Sequence, residues 1–167
     1  MNLAYIALGS NIGDSQRILL RAITRLEALS DRPLFKSSLW ETEPVDCPPG
    51  SPPFINAVVA LLPRDAETPE SLLIRLHEIE AEFGRVRTGA QNAPRSLDLD
   101  LIAFGEETRA RPELLLPHPR AHLRRFVLEP LRELYPDLVL PGHNKAVSEL
   151  LQGLPPEPRA KKLGAVT

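Results

Sequence analysis

The sequence predicts an α+β fold, most simply a β-α-β-β-α-β core with helices packed on a sheet. Strand-like and helical segments alternate irregularly, and each half of the chain holds two neighbouring strands joined by a loop. The 167 residues carry no internal repeat, and a chain of this length buries most of its apolar surface in one core. We therefore expect a single domain over residues 1–154 and a flexible tail over residues 155–167.

The first half of the chain predicts a strand, a helix and two further strands. An apolar run at residues 3–8 ends in a Gly-rich turn, and a helix capped by Asp14 or Ser15 follows. The turn lacks both the Walker lysine and the G-x-G-x-x-G spacing, so a plain strand-to-helix turn is favoured over a phosphate-binding loop. Alternating residues at 34–42 and 54–62 predict the two strands.

The loop between those two strands, residues 43–53, is rich in proline and cannot be regular structure. Long irregular loops in compact domains are often functional. Asn56, just after this loop, is the odd polar member of its strand, and we expect either a satisfied polar residue or a ligand contact there.

The second half predicts a helix that begins after Thr68, with Pro69 at its first position, and ends at Gly84. A loop rich in Gly, Asn, Pro and Arg leads from residue 84 to residue 96. Later segments predict a strand at 97–101, a strand at 114–116, a helix at 123–134 that Pro130 kinks or divides, a short strand or extended piece at 138–140 and a short helix at 146–151.

Composition is that of an ordinary soluble globular protein, with a formal net charge of −2, 25% charged and 43% hydrophobic residues. This balance gives no electrostatic case for binding nucleic acid or an anionic membrane. No stretch approaches the roughly 20 apolar residues of a membrane span, and the N-terminus does not resemble a leader. We expect a cytoplasmic protein, a monomer, with small-molecule partners. Cys47 is the only cysteine, which excludes a disulfide within the chain and a cysteine-based metal site.

Two aspartates in the segment Leu97-Asp98-Leu99-Asp100-Leu101 point to metal chemistry. In a strand the leucines share one face and the two carboxylates share the other. Magnesium commonly takes one or two protein carboxylates and completes its shell with substrate phosphates. The pair alone favours two aspartates on a solvated sheet face, but basic residues that could gather nearby favour phosphoryl or nucleotidyl transfer. These are Arg85, Arg87, Arg95, His118, Arg120, Arg124 and Arg125.

Five segments, in matching order across about residues 3–140, resemble the 6-hydroxymethyl-7,8-dihydropterin pyrophosphokinases of folate biosynthesis. They are YIALGSN at 5–11, FINA at 54–57, GRVR at 84–87, PRSLDLD at 94–100 and LPHP at 116–119. The resemblance implies a ferredoxin-like fold with a mainly antiparallel sheet, two Mg²⁺ ions and ATP as co-substrate. It also implies transfer of a pyrophosphoryl group to the hydroxymethyl oxygen of the pterin, with release of AMP.

The resemblance also assigns roles residue by residue. Asp98 and Asp100 match the metal-binding pair, and Arg85 and Arg95 match the catalytic arginines. The nucleotide-binding positions are Glu80, Arg87, His118 and Arg124. The pterin-binding positions are Thr42, Pro44, Val45, Phe54, Asn56 and Phe126.

This chain departs from the family pattern at Gln91 and Asn92, where some members have arginine and tryptophan, and at Pro119, where tyrosine is frequent. These departures affect how the loop of residues 84–96, which we call the basic loop, closes on ATP. Two other functions stay open from the residues. One is a different magnesium-dependent transferase with a D-x-D pair, and the other is a non-catalytic ferredoxin-like binding module.

Overall fold

The computed structural model describes residues 2–44, 49–84 and 96–166. The elements of the first half are β1 (Ala4–Ser10), α1 (Ser15–Glu27), β2 (Phe35–Lys36), β3 (Leu39–Thr42), β4 (Phe54–Leu61) and α2 (Pro69–Glu82). Those of the second half are β5 (Asp98–Phe104), β6 (Arg109–Arg111), β7 (Leu114–Leu116), a 3-10 turn (Ala121–Leu123), α3 (Arg125–Leu134), α4 (Val147–Gln152) and β8 (Ala160–Gly164). Within the described ranges no helix has both the length and the apolar character needed to cross a bilayer.

The main sheet has the strand order β5-β1-β4-β3-β8, and β2 pairs separately with β4. Each of these strand pairs is antiparallel. The order β5-β1-β4-β3, with α1 and α2 as the two crossovers, is the predicted β-α-β-β-α-β core. The fold class is therefore confirmed.

Both faces of the sheet are covered, because β4 alternates apolar residues on both sides. Ile55, Ala57 and Val59 pack in one core with α1 and α2. Val58 and Ala60 pack in a second core with α3 and α4. The second core covers only part of its face of the sheet, so the position of α3 determines which end of that face stays open.

The helix starts follow the capping residues that the sequence predicts. The Asp14 carboxylate accepts from the Arg17 backbone N–H, and Thr68 forms a reciprocal capping box with Ser71. Pro130 lies inside α3 and does not divide it, and the helix begins at Arg125 rather than at residue 123.

The strand predicted at residues 34–42 is split into β2 and β3. Ser37 lies between them, where its backbone N–H donates to the Val58 carbonyl at 2.9 Å and its hydroxyl accepts from the Val58 N–H at 2.9 Å. A side chain thus replaces one bond of the ladder, which interrupts the strand.

The C-terminal segment differs from the flexible tail that the sequence predicts for residues 155–167. Ala160–Gly164 forms β8 and pairs with the outer edge of β3, where Thr42 lies opposite Ala160. Four of the five residues of β8 are exposed on the surface. The strand therefore needs no alternation of apolar and polar residues, which is the pattern by which a strand is predicted from sequence. Unpaired backbone groups on the edge of β3 provide the pairing surface instead.

Candidate active site

The two aspartates project from β5 on the sheet face that carries α3. Leu97, Leu99 and Leu101 are buried in the opposite core, beneath α1 and α2, as the alternation predicts. Asp98 is exposed and Asp100 is half-buried. The carboxylates therefore lie above the sheet at its open end.

The strand register aligns the aspartates with residues of the neighbouring strands. Gly9 in β1 lies opposite Asp98 on one side and opposite Asn56 on the other. In the next row Ala7 lies between Asp100 and Val58. Two small residues thus form the floor between the carboxylates and β4.

Glycine is needed at position 9 because there is too little room for a side chain, and not because of its backbone conformation. A Cβ at this position would lie 3.1 Å from Oδ1 of Asn56, closer than ordinary van der Waals contact. The missing side chain therefore leaves room for the Asn56 amide.

A cavity of about 410 Å³ lies above this floor. We call it the aromatic cavity, and it is lined by Ala7, Leu8, Gly9, Thr42, Glu43, Phe54, Asn56, Asp98, Asp100, Arg124, Phe126 and Pro158. Asn56 and Thr42 are both buried, and the Asn56 amide donates from Nδ2 to Oγ1 of Thr42 at 2.7 Å. This bond orients the polar edge of the cavity, while the two phenylalanines supply apolar walls.

A second cavity of about 350 Å³ lies on the outer side of β5. We call it the basic cavity, and its walls are Leu73, His77, Leu99, Asp100, Leu101, Pro112, Glu113, Leu114, Leu115, His118, Pro119, Arg120 and Arg124. Asp100 and Arg124 line both cavities. A carboxylate and a guanidinium group therefore lie at the boundary between the two cavities, where ligands bound in the two cavities would meet.

His118 enters the basic cavity with a defined ring orientation. Its backbone N–H donates to the Ile102 carbonyl at 2.8 Å, and its Nδ1 accepts from the Arg120 N–H at 3.2 Å. Burial lowers the pKa of His118 below its ordinary value, and Arg124 and Arg120 lower it further against the opposing effect of Asp100. The ring is therefore neutral near pH 7, with the proton on Nε2, which leaves that nitrogen as a donor.

Arg124 lines both cavities. It occupies the N-cap position of α3. Its guanidinium carbon lies 5.4 Å from the ring centroid of Phe126, in a cation–π contact. The positive charge therefore lies beside an aromatic wall and near the partial positive charge of the helix terminus, an arrangement that attracts anions.

The structure thus brings together nine of the candidate site residues that the sequence singles out. They are Thr42, Phe54, Asn56, Asp98, Asp100, His118, Arg120, Arg124 and Phe126. The predicted residues Val45, Arg85, Arg87 and Arg95, and the departures Gln91 and Asn92, lie outside the described residues.

Three predicted residues lie elsewhere. Pro44 is described but does not line either cavity. Glu80 is also outside both linings; its carboxylate accepts from the Leu99 N–H at 3.0 Å and so holds the backbone between the two aspartates. Arg125 does not join the basic cavity as expected, because its guanidinium donates to Glu129 at 3.2 Å and to the Pro155 carbonyl at 2.7 Å.

Five lining residues of the aromatic cavity escaped the sequence reasoning about the site: Ala7, Leu8, Gly9, Glu43 and Pro158. Ala7 and Gly9 alternate on β1, and this would have identified them once β1 was known to pair with β5 and β4. Pro158 carries no such signal, because its place depends on the pairing of β8 with β3.

The donor set suits a hard cation that is shared with a ligand. In residues 2–44, 49–84 and 96–166 no group of three or more His, Cys, Asp or Glu side chains converges as a metal site. Asp98 and Asp100 provide carboxylate oxygens on one face, which fits Mg²⁺ when phosphate oxygens complete its shell.

Comparisons with known proteins agree on one family. The family model described as 7,8-dihydro-6-hydroxymethylpterin-pyrophosphokinase matches residues 5–136. The chain is 40% identical over 152 residues to the 2-amino-4-hydroxy-6-hydroxymethyldihydropteridine pyrophosphokinase of Pseudomonas aeruginosa, covering 90% of this chain and 91% of that protein. It is 40% identical over 134 residues to the Bacillus subtilis pyrophosphokinase of the same name, covering 80% and 78% of the two chains.

The solved structures with a similar fold include the HPPK-DHPS protein of Plasmodium falciparum, with a TM-score of 0.68 and 15% sequence identity. That match covers 91% of this chain and 43% of the longer Plasmodium chain. At this identity the likeness concerns the fold alone, and it agrees with the α+β fold class described above.

Proposed function

The chain belongs to the 7,8-dihydro-6-hydroxymethylpterin-pyrophosphokinase family, and we propose that its two cavities divide the reaction of that family between them. The enzyme is an ATP-dependent diphosphokinase that transfers a pyrophosphoryl group to the hydroxymethyl group of 6-hydroxymethyl-7,8-dihydropterin and releases AMP, in folate biosynthesis. The observation that carries the division is that Asp100 and Arg124 line both cavities.

The aromatic cavity takes the pterin. A flat heterocycle suits a site between Phe54 and Phe126, and its polar edge matches the buried Thr42 and Asn56. Backbone groups around Val45, with Pro44, would complete the polar wall, as the family resemblance suggests.

The basic cavity takes ATP. Leu73 and Leu115 offer an apolar surface for the adenine, whereas His118, Arg120 and Arg124 offer donors for phosphate oxygens. The resemblance adds Arg87 on the nucleotide side. We assign Glu80 the indirect role of holding β5 in place, supported by its bond to the Leu99 N–H.

Asp98 and Asp100 would hold the two Mg²⁺ ions of the proposal. When bound, Mg²⁺ neutralises charge on the triphosphate and on the transferring group. The aspartates contribute two fixed carboxylates from a strand whose leucines are locked in the core.

The chain's own residues then act by position and charge. Phe54, Phe126 and Asn56 would orient the pterin so that its hydroxymethyl oxygen faces the boundary between the cavities. That oxygen attacks the β-phosphorus, while the bond from this phosphorus to the oxygen it shares with the α-phosphate breaks and AMP leaves. Arg124 compensates charge at the boundary, and Arg85 and Arg95 would do so from the basic loop.

The test is to incubate the protein with Mg-ATP and 6-hydroxymethyl-7,8-dihydropterin and to identify the nucleotide product. We expect AMP in an amount equal to the pyrophosphorylated pterin. Formation of ADP, or ATP consumption that does not depend on the pterin, would favour another transferase with a D-x-D pair. Pterin or ATP binding without turnover would favour a binding module. A cytoplasmic location, a monomeric state and the absence of nucleic-acid and membrane partners stay predictions from the sequence.

A further inference from the structure

The C-terminal segment, residues 155–164, is attached to the fold at both of its ends. The Arg125 guanidinium donates from Nη2 to the Pro155 carbonyl at 2.7 Å. At the other end β8 pairs with β3, and Nζ of Lys162 lies 3.2 Å from Oε2 of Glu133 on α3. The residues between these attachments are therefore held beside α3 and the end of β3.

Pro158 lies within this span and reaches the aromatic cavity. Thr42 is opposite Ala160, so continuing the antiparallel register by two residues would place Pro158 level with Pro44, just beyond the end of β3. Pro158 is half-buried and lines the aromatic cavity together with Phe54 and Phe126. It does not line the basic cavity.

The residues on either side of Pro158 face a different space. Pro156, Arg159 and Ala160 line a third cavity of about 400 Å³, which also involves Arg125 and residues of α4. Pro158 is absent from that lining. One proline of the segment thus faces the aromatic cavity, and another, two residues away, faces elsewhere.

We propose that Pro158 is a substrate-positioning residue, through which the C-terminal segment forms one wall of the pterin site. The inference rests on the function proposed above. The proline ring offers rigid apolar surface and no N–H donor, so it shields the pterin from water without competing for its polar edge. Because Pro158 lines the aromatic cavity and neither of the other two cavities described for residues 2–44, 49–84 and 96–166, it acts on binding of the pterin and leaves binding of ATP unchanged.

Steady-state kinetics of full-length variants test this proposal, with Pro158→Ala compared against Pro156→Ala as a matched control. Loss of a few buried CH₂ groups should raise the KM for the pterin about 3- to 10-fold in Pro158→Ala. The KM for ATP should stay within about twofold, and Pro156→Ala should leave both constants within that range. A second variant, Pro158→Trp, should raise the pterin KM more than Pro158→Ala does, because a bulky ring would occupy the cavity.

The results distinguish failure of this inference from failure of the proposed function. If the unaltered enzyme forms no AMP from ATP and the pterin, the proposed function itself fails. If it forms AMP but Pro158→Ala and Pro156→Ala give the same pterin KM, only the role of Pro158 is refuted. Equal increases in both KM values for Pro158→Ala, with a lowered melting temperature, would also refute it, because they indicate general destabilisation.

Discussion

The aromatic and basic cavities share two residues but are built in different ways. The aromatic cavity rests on the central strands β1, β3 and β4, where buried Thr42 and Asn56 bond to each other. The basic cavity lies beyond the edge strand β5 and is walled largely by the β6–β7 hairpin and the chain that follows it, with exposed Leu115 and Arg120. Polar groups fixed on a packed sheet select a substrate by shape and hydrogen bonding, whereas exposed basic groups at an edge recognise mainly charge.

The largest expected effect is at the boundary between the cavities. Asp100→Ala and Asp98→Ala should each lower kcat by at least about 10²-fold, because they remove charge that would hold Mg²⁺ against the phosphates. Neither change removes core volume, so the melting temperature should change little. Turnover and thermal melting measure the two effects, with Asp65→Ala, at an exposed loop position, as the control. Near-normal turnover in either variant would remove the metal assignment.

Two substitutions test whether the aromatic cavity binds the pterin and the basic cavity binds ATP. Phe54→Ala should raise the KM for the pterin about tenfold and leave the KM for ATP nearly unchanged, since Phe54 lines only the aromatic cavity. Leu115→Ser should do the reverse to a smaller degree, because Leu115 lines only the basic cavity and is exposed. Initial rates with each substrate varied in turn provide the test. The division fails if either variant changes both constants equally.

A smaller effect is expected from the floor of the aromatic cavity. Gly9→Ala places a Cβ 3.1 Å from Oδ1 of Asn56 and should displace the amide, which raises the Kd for the pterin several-fold, about 1 kcal/mol of lost binding. Gly153→Ala is the matched control, since the nearest atom to its added Cβ is 3.6 Å away and its φ is −83°. Pterin titration by fluorescence measures the change. Equal affinity in the two variants would show that the amide does not contact the substrate.

The smallest effect concerns pH and the basic cavity. Burial lowers the folded-state pKa of His118, so the folded protein binds fewer protons there than the unfolded chain does. The associated stability is present above the ordinary histidine pKa of about 6.5 and is lost as the pH falls through the folded-state value. His118→Asn should therefore reduce the decrease in melting temperature on going from pH 7.5 to pH 5.5. His77→Asn, at an exposed histidine of the same cavity, is the control, and equal profiles for wild type and His118→Asn would contradict the prediction.

Structural features that depend only on residues close together in the chain were predictable from the sequence. Alternation along residues 97–101 determined which side of β5 the aspartates occupy, because side chains of a strand alternate whatever its neighbours are. Thr68 and Pro69 predicted the start of α2 in the same way, since a helix cap depends only on residues within one turn. The family resemblance added Phe54, Asn56, His118, Arg124 and Phe126, which line the cavities.

Other features depended on partners distant in the chain. Arg124 and Arg125 are adjacent and chemically identical in the sequence, yet the first lines both cavities and the second bonds to Glu129 and Pro155. Their orientation on the first turn of α3 decides between these roles, and that orientation follows from packing against the sheet. Local patterns contain no such information.

By itself the sequence determined the strand that carries Asp98 and Asp100, the β-α-β-β-α-β order of the core, and the kind of chemistry that two carboxylates with arginines perform. Only the tertiary structure decided that Gly9 and Ala7 form the floor beside those carboxylates, and that Pro158 closes the aromatic cavity from the far end of the chain. The physical reason is that backbone pairing between strands brings together residues as distant in the chain as Leu39 and Gly164, and the pairing of β8 leaves no hydrophobic pattern in its residues.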